Sequence, residues 1–152
     1  LIVADHDERP RGRSLVPIES YHIPGLIIAD GLTPRHFDKV TSHIDLLPTL
    51  LSLANVSGTA PFVGQDFLSI PPDQPGRAVM QFGKNHAYME GDNVIIHQPG
   101  RAAEQYQYAN ERLTPATLQQ ALARKALIWA SLPGVLYREG LYTPDNRIRQ
   151  AP

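Results

Sequence analysis

The chain has no cysteine, no marked excess of either charge and no long apolar run. Without cysteine, this stretch can hold no disulfide, no thiolate zinc site and no cysteine nucleophile. That absence suits a bacterial periplasm as well as a cytosol. The 14 basic and 15 acidic side chains leave a net charge of −1, which gives no electrostatic case for nucleic acid or an anionic membrane surface. No apolar run approaches the roughly 20 residues that a membrane span requires. The first residues also lack the layout of a secretory leader, although a longer parent protein can carry either feature upstream. What is present is ordinary for a globular domain: 152 residues, 42% hydrophobic and 19% charged, enough for one domain with a core. Proline is plentiful, at 14 residues, and punctuates the chain into short elements.

Leu1-Ile2-Val3-Ala4-Asp5-His6 opens the chain. Four apolar residues read as a buried strand of a parallel sheet, and open α/β sheets place ligands beyond such strand ends. A carboxylate and an imidazole at that point offer one oxygen and one nitrogen ligand to a divalent metal. A chain that begins on such a strand, with no methionine, reads as a piece of a longer protein. Asp7 to Ser20 is a polar loop carrying Arg9, Arg11 and Arg13, and Ile23 to Ala29 is a second apolar strand. The next helix has Asp45 as its N-cap and Pro48 at its third position, where the missing N–H costs nothing. It should run to about Ala54, with Asn55 or Gly58 near its end.

Pro71 to Gly76 reads as a linker. Ala78–Phe82, Ala87–Met89 and Val94–His97 read as strands, with a hairpin turn at Glu90-Gly91-Asp92-Asn93. Tyr106 and Tyr108 precede a last helix and pack in the core or at an edge. That helix is capped by Thr114, has Pro115 at its first position and ends at Pro133-Gly134. Leu118, Leu122, Ala126 and Trp129 form its core-facing stripe, at spacings of four, four and three.

The order of these segments carries more than any one of them. Ile-Val-Ala-Asp-His at residues 2–6 is followed by a basic loop, then Tyr21-His22-Ile23-Pro24. Ser42-His43-Ile44-Asp45-Leu46-Leu47-Pro48-Thr49-Leu50-Leu51 comes next, and then Gly64-Gln65-Asp66-Phe67-Leu68. Over about residues 1–70 this succession resembles the C-terminal part of a sulfatase-type catalytic domain of the alkaline phosphatase superfamily. It is most similar to the branch of lipoteichoic acid synthases and phosphoglycerol and phosphoethanolamine transferases. The resemblance implies an α/β fold. Residues 1–70 would be part of the catalytic core, and 71–152 a small antiparallel subdomain with a C-terminal helix.

It also implies metal-dependent transfer or hydrolysis of a phosphate or sulfate ester, lipid- or glycan-linked, with Asp5 and His6 as metal ligands. Manganese or zinc suits that pair, with magnesium or calcium also open. Arg9 and His22 are the candidates for holding substrate oxygens; a hydrogen-bonded structural role is the plainer reading of His22. The family usually has glycine after Asp-His, and this chain has Asp7 there, expected to face solvent. The family's nucleophile (threonine, serine or formylglycine) and its earlier acidic ligand lie upstream of the Asp-His strand. Neither is in this chain, and the sulfatase Cys/Ser-x-Pro-x-Arg signature does not occur.

No catalytic residue is therefore assigned, and the segment alone should not turn over substrate. By resemblance the parent would be anchored in a bacterial inner membrane with this part in the periplasm. The competing reading is a non-catalytic module that pairs with a second copy through open strand edges. An unrelated binding domain with a fortuitous Asp-His is the remaining one. His43 and Asp45 look like a pair, but capping accounts for Asp45, and His36, His86 and His97 read as surface or strand residues.

Overall fold

In the computed structural model, which describes residues 1–5, 15–58 and 60–142, the two N-terminal apolar runs form a short sheet. β1 (Ile2–Val3) and β2 (Gly25–Leu26) pair antiparallel, Ile2 opposite Leu26 and Val3 opposite Gly25. This corrects the expected buried parallel strand in direction and in burial, since Ile2 and Leu26 are 65% and 54% exposed. An apolar run signals that a strand forms but not which way its neighbour runs. The expected strand from Ile23 to Ala29 shortens to two residues, matching the two that β1 offers for pairing.

α1 (Leu46–Leu53) begins directly after Asp45 with Pro48 third, as the sequence implies. Its end is set by Asn55 in the left-handed region (φ 54°). There the Val56 N–H donates to the Leu51 carbonyl and the Asn55 N–H to the Ser52 carbonyl, the hydrogen-bond pair of a Schellman motif.

Five strands follow in sequence order as one antiparallel sheet: β3 (Arg77–Phe82), β4 (Asn85–Glu90), β5 (Asn93–His97), β6 (Glu104–Ala109) and β7 (Arg112–Ala116). Three of the four connections are two-residue turns. Gly83 and Gly91 open theirs at φ 60° and 56°, and Asn110 and Glu111 both lie in the left-handed region, as right-twisted hairpins require. One face presents Met80, Met89, Val94 and Ile96 to Val16 and Ile18. The other presents Tyr88 and Ile95 to Leu122 and Ala126 of α2 (Gln120–Arg138). Val94, Ile95 and Ile96 on central β5 are fully buried.

The C-terminal expectations need three corrections. Tyr106 and Tyr108 lie on β6, not in a segment leading into a helix. Thr114-Pro115 lies in β7 rather than starting α2; a proline needs no ladder N–H on an edge strand. The N–H before α2 is met instead by a side chain, Gln119 N–H donating to the Oε1 of buried Gln105 at 2.8 Å. Pro133 sits inside α2, although it cannot donate to the Trp129 carbonyl four residues back. The helix continues to a second Schellman closure, with Gly140 at φ 65° and Leu141 N–H on the Leu136 carbonyl. Inward-facing Leu132 and Leu136 are part-buried on either side of the proline.

The stretch read as a linker is pinned. Lys39 Nζ donates to the carbonyls of Pro71 and Gln74. Gly76 lies so close to Val40 that a Cβ there would come within 2.0 Å of the Val40 carbonyl oxygen. The outer edge of β3 is covered: Val79 N–H donates to Ser42 Oγ at 2.9 Å and the Tyr21 hydroxyl to the Gln81 carbonyl. No described helix is long and apolar enough to cross a membrane.

Candidate functional site

Asp5 follows β1 by two residues and is exposed. Because the β1–β2 ladder is antiparallel, the chain enters β2 through His22, Ile23 and Pro24 at the Asp5 end of β1. His22 is exposed, and its backbone N–H closes the 3₁₀ turn Ile18–Tyr21 on the Glu19 carbonyl at 3.2 Å. A third segment reaches the same end: His43 Nε2 lies 3.1 Å from the carbonyl oxygen of Ala4. A carbonyl only accepts, so the imidazole carries its proton on Nε2 here. His6 and Arg9, with Asp7, Arg11 and Arg13, lie outside the described residues.

Asp5 with His6 supplies one carboxylate and one imidazole, a donor set of the kind zinc and manganese take. Two ligands are fewer than the four or more such ions need. Among the described residues no three His, Asp or Glu side chains come together closely enough to hold a metal. The donor chemistry fits a metal and the count is that of a partial site.

What fixes His43 is a buried polar frame. His43 opens a 3₁₀ turn (His43–Asp45) that leads into α1. Asp45 is 1% exposed, and both its oxygens are occupied. Oδ2 accepts from Ser42 N–H at 3.1 Å and Oδ1 from Gln65 N–H at 2.9 Å. Arg77 brackets the carboxylate, with Nη2 2.9 Å from Oδ1 and Nη1 3.4 Å from Oδ2. A fork of this kind suits a planar guanidinium, whose outer face lies 4.2 Å over the Trp129 ring. Asp45 thus stands at the N-cap position of α1 but does not cap it. Its side chain reaches back to Ser42 and across to β3, because a buried charge needs a partner more than an exposed helix end does.

Thr49, fully buried, donates to the Asp45 carbonyl at 2.7 Å and accepts from Phe67 N–H at 3.0 Å. Both of its functions are used, so it is structural. Arg77, and the part Ser42 plays in holding Asp45 and β3, escaped the sequence reading. The only signal for Arg77 is a lone cation opening a largely apolar strand, and nothing local points to Asp45 as its partner.

His86 and His97 lie opposite each other on β4 and β5, and His36 is exposed, as the sequence implies. Tyr106 and Tyr108 line a groove of about 420 Å³ with Glu19, Glu111 and Arg112. Burial and the neighbouring Glu104 push the Tyr106 hydroxyl up to about 12, and burial with Glu19 and Glu111 raises Tyr108. Both stay protonated at neutral pH; the Tyr106 hydroxyl donates to Glu104 at 2.7 Å, and both rings pack against the core.

No protein-family profile matches the chain. Among solved structures it is similar to a protein in the alkaline phosphatase superfamily from Vibrio parahaemolyticus, at 32% identity and a TM-score of 0.88. The match covers 94% of this chain and 36% of that one, so the chain spans little more than a third of that protein's length. The two-stranded sheet, five-stranded antiparallel sheet and C-terminal helix thus match an alkaline-phosphatase-like fold.

Proposed function

We propose that the chain is part of a metal-dependent enzyme that transfers or hydrolyses a phosphate- or sulfate-type ester, of the phosphoglycerol or phosphoethanolamine transferase kind. The observation that carries this reading is the 32% identity and 0.88 TM-score over 94% of the chain with a superfamily member. Asp5 lies just past the end of β1 and His6 follows it in sequence; this reading makes the two ligands. A divalent metal bound there would neutralise charge developing on the ester oxygens. Asp5 would supply a carboxylate oxygen and His6 a ring nitrogen, while Arg9 and His22, which precedes β2 by three residues, would hold substrate oxygens. The nucleophile and the remaining ligands would come from elsewhere in the parent, and this segment alone would be inactive. The parent would sit in a bacterial inner membrane with this part in the periplasm.

Calorimetric titration of manganese and zinc into the complete catalytic domain tests the assignment. Asp5→Ala and His6→Ala should each weaken binding strongly, and unchanged affinity in both would overturn the ligand assignment. Turnover of aryl phosphate, aryl sulfate and a glycerophospholipid by the same domain separates the ester classes. A second reading, self-association without catalysis, draws on the exposure of Ile2, Leu26 and Ile28 at 65%, 54% and 71%. Sedimentation of the 152-residue chain as a monomer across the micromolar range would remove it.

A further inference from the structure

We propose that His43 is a positioning residue for Asp5, holding the last carbonyl before it and so fixing the peptide plane that carries the Asp5 Cα. The inference rests on the reading of Asp5 and His6 as metal ligands, and its premise is geometric. The β1–β2 ladder ends at the Val3–Gly25 pair, so the register does not hold the next peptide unit. His43 takes over at that point, 39 residues away in sequence, through Nε2 on the Ala4 carbonyl at 3.1 Å. The Ala4 carbonyl and the Asp5 nitrogen and Cα belong to one planar unit. Anchoring the oxygen therefore fixes the plane from which the Asp5 side chain departs.

The anchor itself is rigid. The turn carrying His43 is held by the buried Asp45 carboxylate, with its contacts to Ser42, Gln65 and Arg77. The His43 side chain, in contrast, is exposed and fills no core space. An exposed ring on a fixed turn, spent on the one carbonyl before Asp5, is what a positioning contact requires and a packing contact does not. Groups that orient metal ligands from behind typically account for about 10- to 100-fold in metal affinity, and a contact made through the backbone belongs at the lower end.

The test is calorimetry with zinc and manganese on the complete protein, with metal-free thermal melts alongside. His43→Phe keeps a ring and loses the donor; His43→Gln keeps an N–H near the position of Nε2. The expected result is about 10-fold weaker metal binding for His43→Phe, recovery for His43→Gln, and metal-free melts that match the parent for both. If His43→Phe binds metal as the parent does while Asp5→Ala has lost it, the positioning role is overturned and the ligand assignment stands. If Asp5→Ala also binds normally, both fall. Equal losses in affinity and melting temperature, with no rescue by His43→Gln, would make His43 a structural residue only and overturn the proposal.

Discussion

The five-stranded sheet and the segment before it are ordered by different means. From β3 to β7 every strand pairs with its sequence neighbour, most turns are two residues long, and β5 is buried on both faces. That region encodes its shape locally and is held by apolar burial. The described residues of 15–70 contain little regular structure beyond α1, the short β2 and three short 3₁₀ turns. They are held by a few buried polar groups that reach far along the chain: Asp45 to Arg77, Thr49 to Phe67, Ser42 to Val79. Burial tolerates the loss of one contact among many, whereas a polar frame fails at any member, because the partner left behind stays buried and unmet. The Asp5 end of β1 touches this frame through His43, on the Ala4 carbonyl.

The largest effect that tests this contrast is Arg77→Ala. It strips the charge partner from a carboxylate that is 1% exposed and should cost about 3–5 kcal/mol by denaturant unfolding. Hydrogen exchange sharpens the test: the Gln65 and Phe67 amides should lose protection while β4 and β5 keep theirs. Equal loss in both regions would break the distinction. Gly64→Ala comes next. A Cβ there would lie 1.8 Å from the Ile44 carbonyl oxygen, so frame and loop must separate, at a cost of about 1–3 kcal/mol.

The smallest effect is expected on the sheet side. Burial pushes the Glu90 carboxyl up, but hydrogen bonds from Lys125 and Tyr88 outweigh it and hold the group below its ordinary value of 4.5. A lowered folded value means stability that is present above pH 4.5 and lost as the pH falls through the folded pKa. Glu90→Gln should flatten that acid limb and change neutral stability by at most about 1 kcal/mol, since Lys125 is half exposed. A larger change at neutral pH would show that the sheet, too, depends on single polar contacts.

Legibility from sequence divides along the same line. The strands at Ala78–Phe82, Ala87–Met89 and Val94–His97 could be read because alternation and Gly91 are local signals. So could the start of α1 after Asp45, with Pro48 third, and its stop near Asn55. β6 and β7 were hidden because Thr114-Pro115 is a strong helix-start signal, and only the edge position of β7 makes the proline harmless. Gln105, which meets the Gln119 N–H ahead of α2, gives no sign of that role in its neighbours. The place of Asp5 at a strand end was readable, but the His43 contact that reaches it depends on the Asp45–Arg77 pairing, 32 residues apart, which no local pattern encodes.

The covered edge of β3 has a consequence for crowded solution. With Ser42 on the Val79 amide and Tyr21 on the Gln81 carbonyl, a stray extended peptide finds little to template on at that side. At the opposite rim Pro115 withholds a donor from any strand that would dock on β7. The large sheet therefore resists lengthening into fibrils from either flank, and strand addition by this chain would begin on the small, apolar β1–β2 ribbon.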